Sequence, residues 1–169
     1  MDRATYLNEI VAAYQAEVWG EAIFSTLAEH ATNEEELEIW KTLTRLESTM
    51  RQRLIPLMER HGLNTAPDEE QRRLGQERGK TRVAAGFSAT IKSMTEALPP
   101  FVARYARLEA ECPLEDRNEL TSLNAHEIAL YEFAMRALAG GGRDSLAPIR
   151  LFSANEPSLL LAQSRRSLS

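Results

Sequence analysis

The sequence has little of what marks secreted, membrane or nucleic-acid-binding proteins. Its single cysteine among 169 residues, Cys112, excludes an intramolecular disulfide and a cysteine-based zinc site. It has no run of about 20 apolar residues, and its N-terminal stretch lacks the apolar segment of a signal peptide. The formal net charge of -5 provides no basic field for phosphate backbones or anionic lipids. We therefore expect a cytoplasmic protein that binds neither nucleic acid nor membranes.

The sequence also lacks segments in which apolar and polar residues alternate, as they do in half-buried strands. Apolar residues instead recur at intervals of three and four, which is typical of amphipathic α-helices. This spacing predicts four long helices, and Pro99 with Pro100 predicts a kink or break midway along the third. The predicted helices are Tyr6 to His30, Asn33 to His61, Thr81 to Glu111 and Asn118 to Ala139.

The connection between the second and third predicted helices is long. Asn64 to Lys80 is polar and interrupted by Pro67, Gly75 and Gly79, so we expect a crossover that forms a helical turn or two of its own. Four helices joined in this way predict an all-α four-helix bundle over residues 1–142. Residues 143–169 have no clear period, and we expect them to pack on the bundle or on a neighbouring subunit.

Three glutamates lie within the apolar stripes of the predicted helices, where an ionised side chain is costly. They are Glu21 on the first helix, Glu47 on the second and Glu127 on the fourth. Since each residue rises about 1.5 Å along a helix, mid-helix residues share one layer near the middle of a bundle. No Lys or Arg occupies the centre of any stripe, so a metal, shared protons, water or buried donors must compensate the charge. The available donors are Tyr14, Tyr105, Tyr131 and Asn124.

Two other side chains lie close to this layer. His126 is roughly 80° from the centre of the apolar stripe, so it reaches the layer only if the fourth helix is rotated or locally distorted. On its own, His126 is interpreted as a flanking or interface residue. Glu17 lies one turn before Glu21, at the edge of the stripe of the first helix.

The helix order, the long crossover and the three glutamates resemble the ferritin-like superfamily, whose bundles hold two iron or manganese ions between the helices. Glu21 matches the glutamate of the first helix in that pattern. Glu47 and Glu127 match the glutamates of the Glu-x-x-His motifs on the second and fourth helices. Met50 and Leu130 stand where those motifs have histidines, and the third predicted helix has no central glutamate. A complete di-iron ligand set is therefore not present.

The resemblance implies a ferritin-like metal-binding protein, extending to an iron- or manganese-dependent oxidoreductase. It implies Glu21, Glu47, Glu127 and His126 as the metal ligands. The alternative is a bundle that has lost this site and serves as a structural or interaction module. The retained carboxylates favour the first function and the missing histidines favour the second. In either case we expect a homo-oligomer, in the form of a dimer.

Overall fold

The computed structural model describes residues 1–154, and over that range the chain is all-helical and contains no strand. The six helices that precede residue 140 are α1 Arg3–Glu29, α2 Glu34–Arg60, α3 Glu69–Ala85, α4 Phe87–Ala97, α5 Pro99–Glu111 and α6 Arg117–Leu138. Turns of 3-10 helix occupy Leu114–Asp116 and Gly142–Leu146, and residues 147–154 are helical. None of the helices in the described part of the chain has the length and hydrophobicity that crossing a bilayer requires. The prediction of an all-α fold is confirmed.

The helices pack around a core that α1, α2 and α6 share with the α4 and α5 pair. Helix α1 contacts α2 and α3, whereas α6 contacts α2, α4 and α5. Helix α3 also contacts α4, so it lies along α1 on the way to the second half of the chain. The centre of the protein therefore lies between α1, α2, α6 and the α4 and α5 pair.

The predicted crossover contains more helix than expected, since α3 is 17 residues long. Its first turn is capped by Asp68, whose side chain accepts hydrogen bonds from the backbone N–H groups of Glu70 and Gln71. Arg73 forms ion pairs with Glu70 and Glu77 on the same helix. The prediction of one or two turns was wrong because capping and local ion pairs form this helix without a strong apolar stripe.

Two glycines that were interpreted as interruptions are contact points between α3 and α1. A Cβ atom on Gly75 would lie 2.5 Å from the carbonyl oxygen of Trp19. A Cβ atom on Gly79 would lie 2.6 Å from the Cβ atom of Thr26. Both glycines therefore let the two helices approach more closely than side chains would allow.

The third predicted helix is divided. Its first five residues, 81–85, belong to α3, which ends at Ala85 and is followed by Gly86 with a backbone φ of 84°. The predicted start at Thr81 is therefore wrong. The break at Pro99 and Pro100 is confirmed, because α4 ends at Ala97 and α5 begins at Pro99.

The core consists of two apolar clusters. One is built around Tyr14, Leu54 and Leu123, and the other around Phe24 and Phe133. Helices α1, α2 and α6 contribute to both clusters. Along each of these helices a short segment separates the buried residues of one cluster from those of the other. These segments are residues 19–22 of α1, 47–49 of α2 and 124–128 of α6. The three glutamates predicted to share one layer, Glu21, Glu47 and Glu127, lie at this boundary.

The first part of the predicted tail packs against the helices. The turn Gly142–Leu146 contacts α2 and α6, and Leu146 and Ile149 are buried. Arg150 pairs with Glu38 of α2 at 3.1 Å, and the ring of Phe152 lies 6.1 Å from that of His126. The rest of the predicted tail, residues 155–169, lies outside the described residues. A tail that reaches a neighbouring subunit stays a prediction.

Candidate metal centre

Four titratable side chains from three helices meet close to the boundary between the two apolar clusters. Glu17 comes from α1, Glu47 from α2, and His126 and Glu127 from α6. Their exposed fractions are 2%, 4%, 1% and 6%. We call these four residues the polar layer. Because all four are almost fully removed from solvent, water cannot stabilise their charges, and other partners must.

His126 is the centre of the polar layer. Its Nε2 atom lies 3.6 Å from Oε2 of Glu17 and 3.5 Å from Oε1 of Glu47, and its Nδ1 atom lies 3.8 Å from Oε2 of Glu127. These separations are longer than ordinary hydrogen bonds. Among residues 1–154, no group hydrogen-bonds to either ring nitrogen, to Oε2 of Glu17 or to Oε1 of Glu47. The layer therefore contains four buried polar atoms without hydrogen-bond partners, and the imidazole and the carboxylates lie within ion-pair distance of one another.

This geometry fits a metal ion. One ligand atom each from Glu17, Glu47 and His126 lies within 4.8 Å of the others. Two ligands that each bind an ion at about 2.1 Å are about 3.0 Å apart at a right angle and about 3.4 Å apart at a tetrahedral angle. The separations from Nε2 of His126, 3.6 and 3.5 Å, are close to the tetrahedral value. Two carboxylates and an imidazole are donors that suit iron and manganese.

The charges of the polar layer are strongly coupled. Burial raises the pKa of Glu17 well above its ordinary value; the charge of His126 opposes this, and those of Glu47 and Glu127 add to it. Burial likewise raises the pKa of Glu127 to about 7, against the opposing charge of His126. Burial alone would lower the pKa of His126, but the surrounding carboxylates outweigh it and raise that pKa to about 10. The polar layer therefore retains protons at neutral pH, and a metal ion would have to displace them.

A glycine makes room for one of the carboxylates. A Cβ atom on Gly20 of α1 would overlap the Glu47 carboxylate. The backbone of α1 therefore lies directly against Glu47. The sequence pattern contains no sign of this contact, because it depends on how closely α1 and α2 approach each other.

Glu21, which the sequence places in the layer, lies outside the group of close ligand atoms. It is half-buried, and its Oε2 atom accepts a hydrogen bond from Nε of Arg51 at 3.0 Å. Glu17, one turn earlier, lies beside Glu47 instead. Residues four apart differ by only about 40° around a helix and by about 6 Å along it, so a small rotation and axial shift of α1 exchange one glutamate for the other. The spacing of apolar residues does not determine a rotation this small.

The other predicted ligands are brought together. Glu47, His126 and Glu127 all belong to the polar layer. The interpretation of His126 as a flanking or interface residue is wrong, since only 1% of it is exposed. The packing of α6 against both α2 and the α4 and α5 pair buries a wider arc of α6 than one apolar stripe.

Of the predicted donors, two are used elsewhere. The hydroxyl of Tyr14 donates to the carbonyl oxygen of Thr65 at 2.6 Å, and Nδ2 of Asn124 donates to Oε2 of Glu109 at 2.7 Å. Tyr105 of α5 is buried near the layer. Burial, together with the charges of Glu17 and Glu127, raises the pKa of Tyr105 well above its ordinary value. Its phenol therefore stays protonated at neutral pH.

A narrow cavity of about 90 Å³ reaches the polar layer from the side of α4 and α5. It is lined by Glu17, Glu47 and Glu127, by Tyr105 and Arg82, and otherwise mainly by apolar side chains. Trp19, Phe24, Met94, Leu98 and Phe101 form much of its wall. The cavity therefore connects the carboxylates with an apolar space.

Fold and site together define an all-helical protein with a buried cluster of carboxylates and one imidazole. Comparison with protein-family models, with curated proteins and with solved structures finds no match for this chain. The ferritin-like resemblance therefore stays a prediction.

Proposed function

We propose that this chain is a metal-binding protein of the ferritin-like kind that holds iron or manganese in the polar layer. Glu17, Glu47 and His126 are the ligands, and Glu127 lies beside them as a further carboxylate. The observation that carries the proposal is the convergence of buried ligand atoms without hydrogen-bond partners within residues 1–154. Metal coordination supplies the partners that the surrounding apolar residues cannot.

The donor set supports iron or manganese over calcium and magnesium. Calcium and magnesium prefer sites made only of oxygen ligands, and magnesium keeps several waters that an apolar core does not provide. The chain's one cysteine, Cys112, lies in an apolar cluster and not in the polar layer, so no thiolate favours a softer metal. Two carboxylates with one imidazole combine the hard and intermediate donors found with iron and manganese.

The oxidoreductase activity implied by the ferritin-like resemblance extends this proposal. Bound iron or manganese would supply redox chemistry with oxygen or peroxide. Glu17, Glu47 and His126 would bind the metal, and the apolar side chains around them exclude bulk water. The cavity beside Tyr105 gives a small molecule access to the carboxylates. Oxygen consumption by iron-loaded protein, compared with a Glu47→Gln variant, tests this extension.

Metal analysis tests the proposal itself. The protein is purified from iron- and manganese-supplemented medium, and bound metal is measured by elemental analysis. We expect about one equivalent in the natural protein and a drop of at least about tenfold in Glu17→Gln and Glu47→Gln. Glu21→Gln is the matched control, since Glu21 pairs with Arg51 outside the layer, and it should retain the metal. Less than about a tenth of an equivalent in the natural protein would refute the proposal.

One observation favours a second function, a bundle without metal that serves as a structural or interaction module. The ring nitrogens of His126 lie within 3.8 Å of oxygens of three carboxylates, and these carboxylates raise the pKa of His126 to about 10, so a charged imidazole balances part of the carboxylate charge. If charge balance by His126 alone stabilises the polar layer, His126→Gln will lower the free energy of unfolding of the metal-free protein. The same elemental analysis separates the two functions.

A further inference from the structure

The short helix formed by residues 147–154 brings one aromatic side chain to the polar layer. The ring of Phe152 meets the ring of His126 edge-on, with the ring centroids 6.1 Å apart. Phe152 is the only half-buried apolar side chain of residues 1–154 that packs against both apolar clusters. Since the polar layer lies close to the boundary between these clusters, Phe152 covers that boundary.

Phe152 also lines a surface groove of about 870 Å³ that runs along α2. Leu46 and Thr49 of α2, which flank Glu47 in the sequence, line this groove as well. Because each residue advances about 1.5 Å along a helix, this part of the groove lies at the level of the polar layer. Phe152 therefore borders both the wide groove and the buried imidazole of His126.

The helix that carries Phe152 is anchored at its start. Ile149 is buried, and Arg150 pairs with Glu38 of α2 at 3.1 Å. Between Ile149 and residue 154, Phe152 is the only side chain that is not exposed. The end of the helix is therefore held mainly by the apolar contacts of one ring, and an opening of its last turn would carry that ring away from His126.

The groove offers a hydrated cation a better approach to the polar layer than the cavity beside α4 and α5 does. That cavity measures about 90 Å³ and has mainly apolar walls, so an ion would lose its water there without gaining other partners. The groove is far larger, and charged or polar side chains such as Glu34, Lys41 and Thr42 line it. An ion in the groove therefore keeps its water until it reaches Phe152.

We propose that Phe152 is the gate through which water and metal ions pass between the groove and the polar layer. The layer is closed while the ring packs on His126, and it opens when the ring swings into the groove. Because Phe152 is not a metal ligand, the gate sets the rates of entry and release and leaves the affinity unchanged. Its part in metal exchange rests on the proposed metal function. Its control of water access does not, because Phe152 and His126 meet in the metal-free protein.

Proton exchange at His126 tests water access in EDTA-treated protein. NMR of protein labelled with ¹⁵N-histidine measures how fast the ring N–H protons of His126 exchange with water, and variants of the two other histidines, His30→Gln and His61→Gln, identify its signal by elimination. Exchange should be at least about tenfold faster in Phe152→Ala and intermediate in Phe152→Leu, which keeps a smaller apolar side chain. Leu151→Ala is the matched control, because Leu151 is 64% exposed on the same helix, and exchange should be unchanged.

The rates of metal exchange test the gate for ions. Stopped-flow mixing with Mn²⁺, and with EDTA for release, is followed by tryptophan fluorescence. In Phe152→Ala we expect association and dissociation each to be at least about tenfold faster, with the dissociation constant changed by less than about threefold. Arg150→Gln removes the pair with Glu38 but keeps the ring, so both rates should rise by a smaller factor.

Equal exchange of the His126 ring protons in Phe152→Ala and in the natural protein would overturn the proposal. Mn²⁺ binding with unchanged rates in Phe152→Ala would also overturn it, because metal would then enter elsewhere. Faster proton exchange in protein that binds no metal would support the gate and refute the proposed metal function, so the two can fail separately. Circular dichroism checks folding, and if Phe152→Ala does not fold, Phe152→Leu and Arg150→Gln carry the same test.

Discussion

Gly20 is the residue on which the position of the Glu47 carboxylate depends. Any side chain at this position would overlap that carboxylate. The carboxylate is at the end of a flexible side chain, whereas the backbone of α1 is fixed by its contacts with α2 and α3. A larger residue at position 20 would therefore move the carboxylate and leave the helix in place.

For Gly20→Ala we predict a loss of metal binding without a loss of folding. The added methyl group displaces Glu47, while the gain in helix propensity of up to about 1 kcal/mol offsets the crowding. We expect manganese affinity to fall by at least about tenfold, with the free energy of unfolding changed by no more than about 1 kcal/mol. Isothermal titration with Mn²⁺ and urea denaturation measure the two quantities. Ser25→Ala on the same helix is the control, and unchanged affinity in Gly20→Ala would show that this contact does not position Glu47.

In contrast to the carboxylates of the polar layer, the buried carboxylate of Asp116 accepts hydrogen bonds at both of its oxygens. It is fully buried and accepts hydrogen bonds from the hydroxyl of Tyr6 at 2.6 Å, from Nε2 of His61 at 2.7 Å and from Nη1 of Arg60 at 2.5 Å. Burial would raise its pKa, but these donors outweigh burial and hold the pKa below its ordinary value. The network ties α1, the end of α2 and the start of α6 together.

The lowered pKa of Asp116 predicts a stability effect that depends on pH. Because the folded-state pKa lies below the unfolded-state value, Asp116 stabilises the protein above the unfolded pKa, and this contribution is lost as pH falls through the folded pKa. Asp116→Asn should lower the free energy of unfolding by about 2–3 kcal/mol at pH 7. The difference from the natural protein should shrink below about pH 4. Urea denaturation at several pH values measures it, with exposed Glu115→Gln as the control; a difference independent of pH would contradict the assignment.

At the scale of elements, α3 is held on α1 by close backbone approach. Gly75 and Gly79 lie against Trp19 and Thr26, and a Cβ atom at either position would be too close. The charged residues of α3 form their ion pairs within the helix. Helix α3 also carries the buried Arg82, so the position of α3 against α1 determines where this side chain lies.

We predict that Gly75→Ala destabilises the protein although alanine favours helix formation. The atom that the methyl group would meet first, at 2.5 Å, is the backbone oxygen of Trp19, which cannot move without shifting α1. Overpacking of this kind costs about 1–3 kcal/mol, and the helix propensity of alanine offsets about 1 kcal/mol of that. Urea denaturation should therefore show a net loss, whereas Gln76→Ala, on the exposed face of α3, should show none. A gain in stability for Gly75→Ala would mean that the two helices are further apart.

For the whole molecule, the polar layer lies between two apolar clusters and joins three helices. A metal bound to Glu17, Glu47 and His126 would link α1, α2 and α6 at this boundary. Such a link forms only in the folded state, so binding and folding are coupled. The predicted homo-oligomer stays a prediction.

This coupling predicts that metal raises the thermal stability of the whole protein. Mn²⁺ at about a hundred times its dissociation constant should add about 2.7 kcal/mol to the free energy of unfolding. For a chain of this length each kcal/mol corresponds to roughly 2–4 °C in Tm. Differential scanning calorimetry with and without Mn²⁺ measures the shift, and Glu17→Gln combined with Glu47→Gln should abolish it. A shift of the same size in this double variant would place the metal elsewhere.

The sequence by itself determined the helical class of the protein and two of the carboxylate positions. Periodic apolar residues are sufficient to predict amphipathic helices, and Pro99 and Pro100 are sufficient to predict the break before α5, because both effects are local. Glu47 and Glu127 were assigned to inward faces because their neighbours on the helix are apolar. These inferences need no knowledge of how the helices meet.

Only the tertiary structure decided which side chains share the polar layer. Glu17 takes the place predicted for Glu21 because of the way α1 packs against α2, and His126 is buried because α6 has neighbours on several sides. Gly20 and Gly75 matter through atoms of other helices, which a one-dimensional pattern does not contain. Arg82 lies on a polar helix, and only the packing of α3 on α1 and α4 buries it beside an apolar cavity. Helix rotation and close approach are set by packing between elements, and residue spacing along the chain does not encode them.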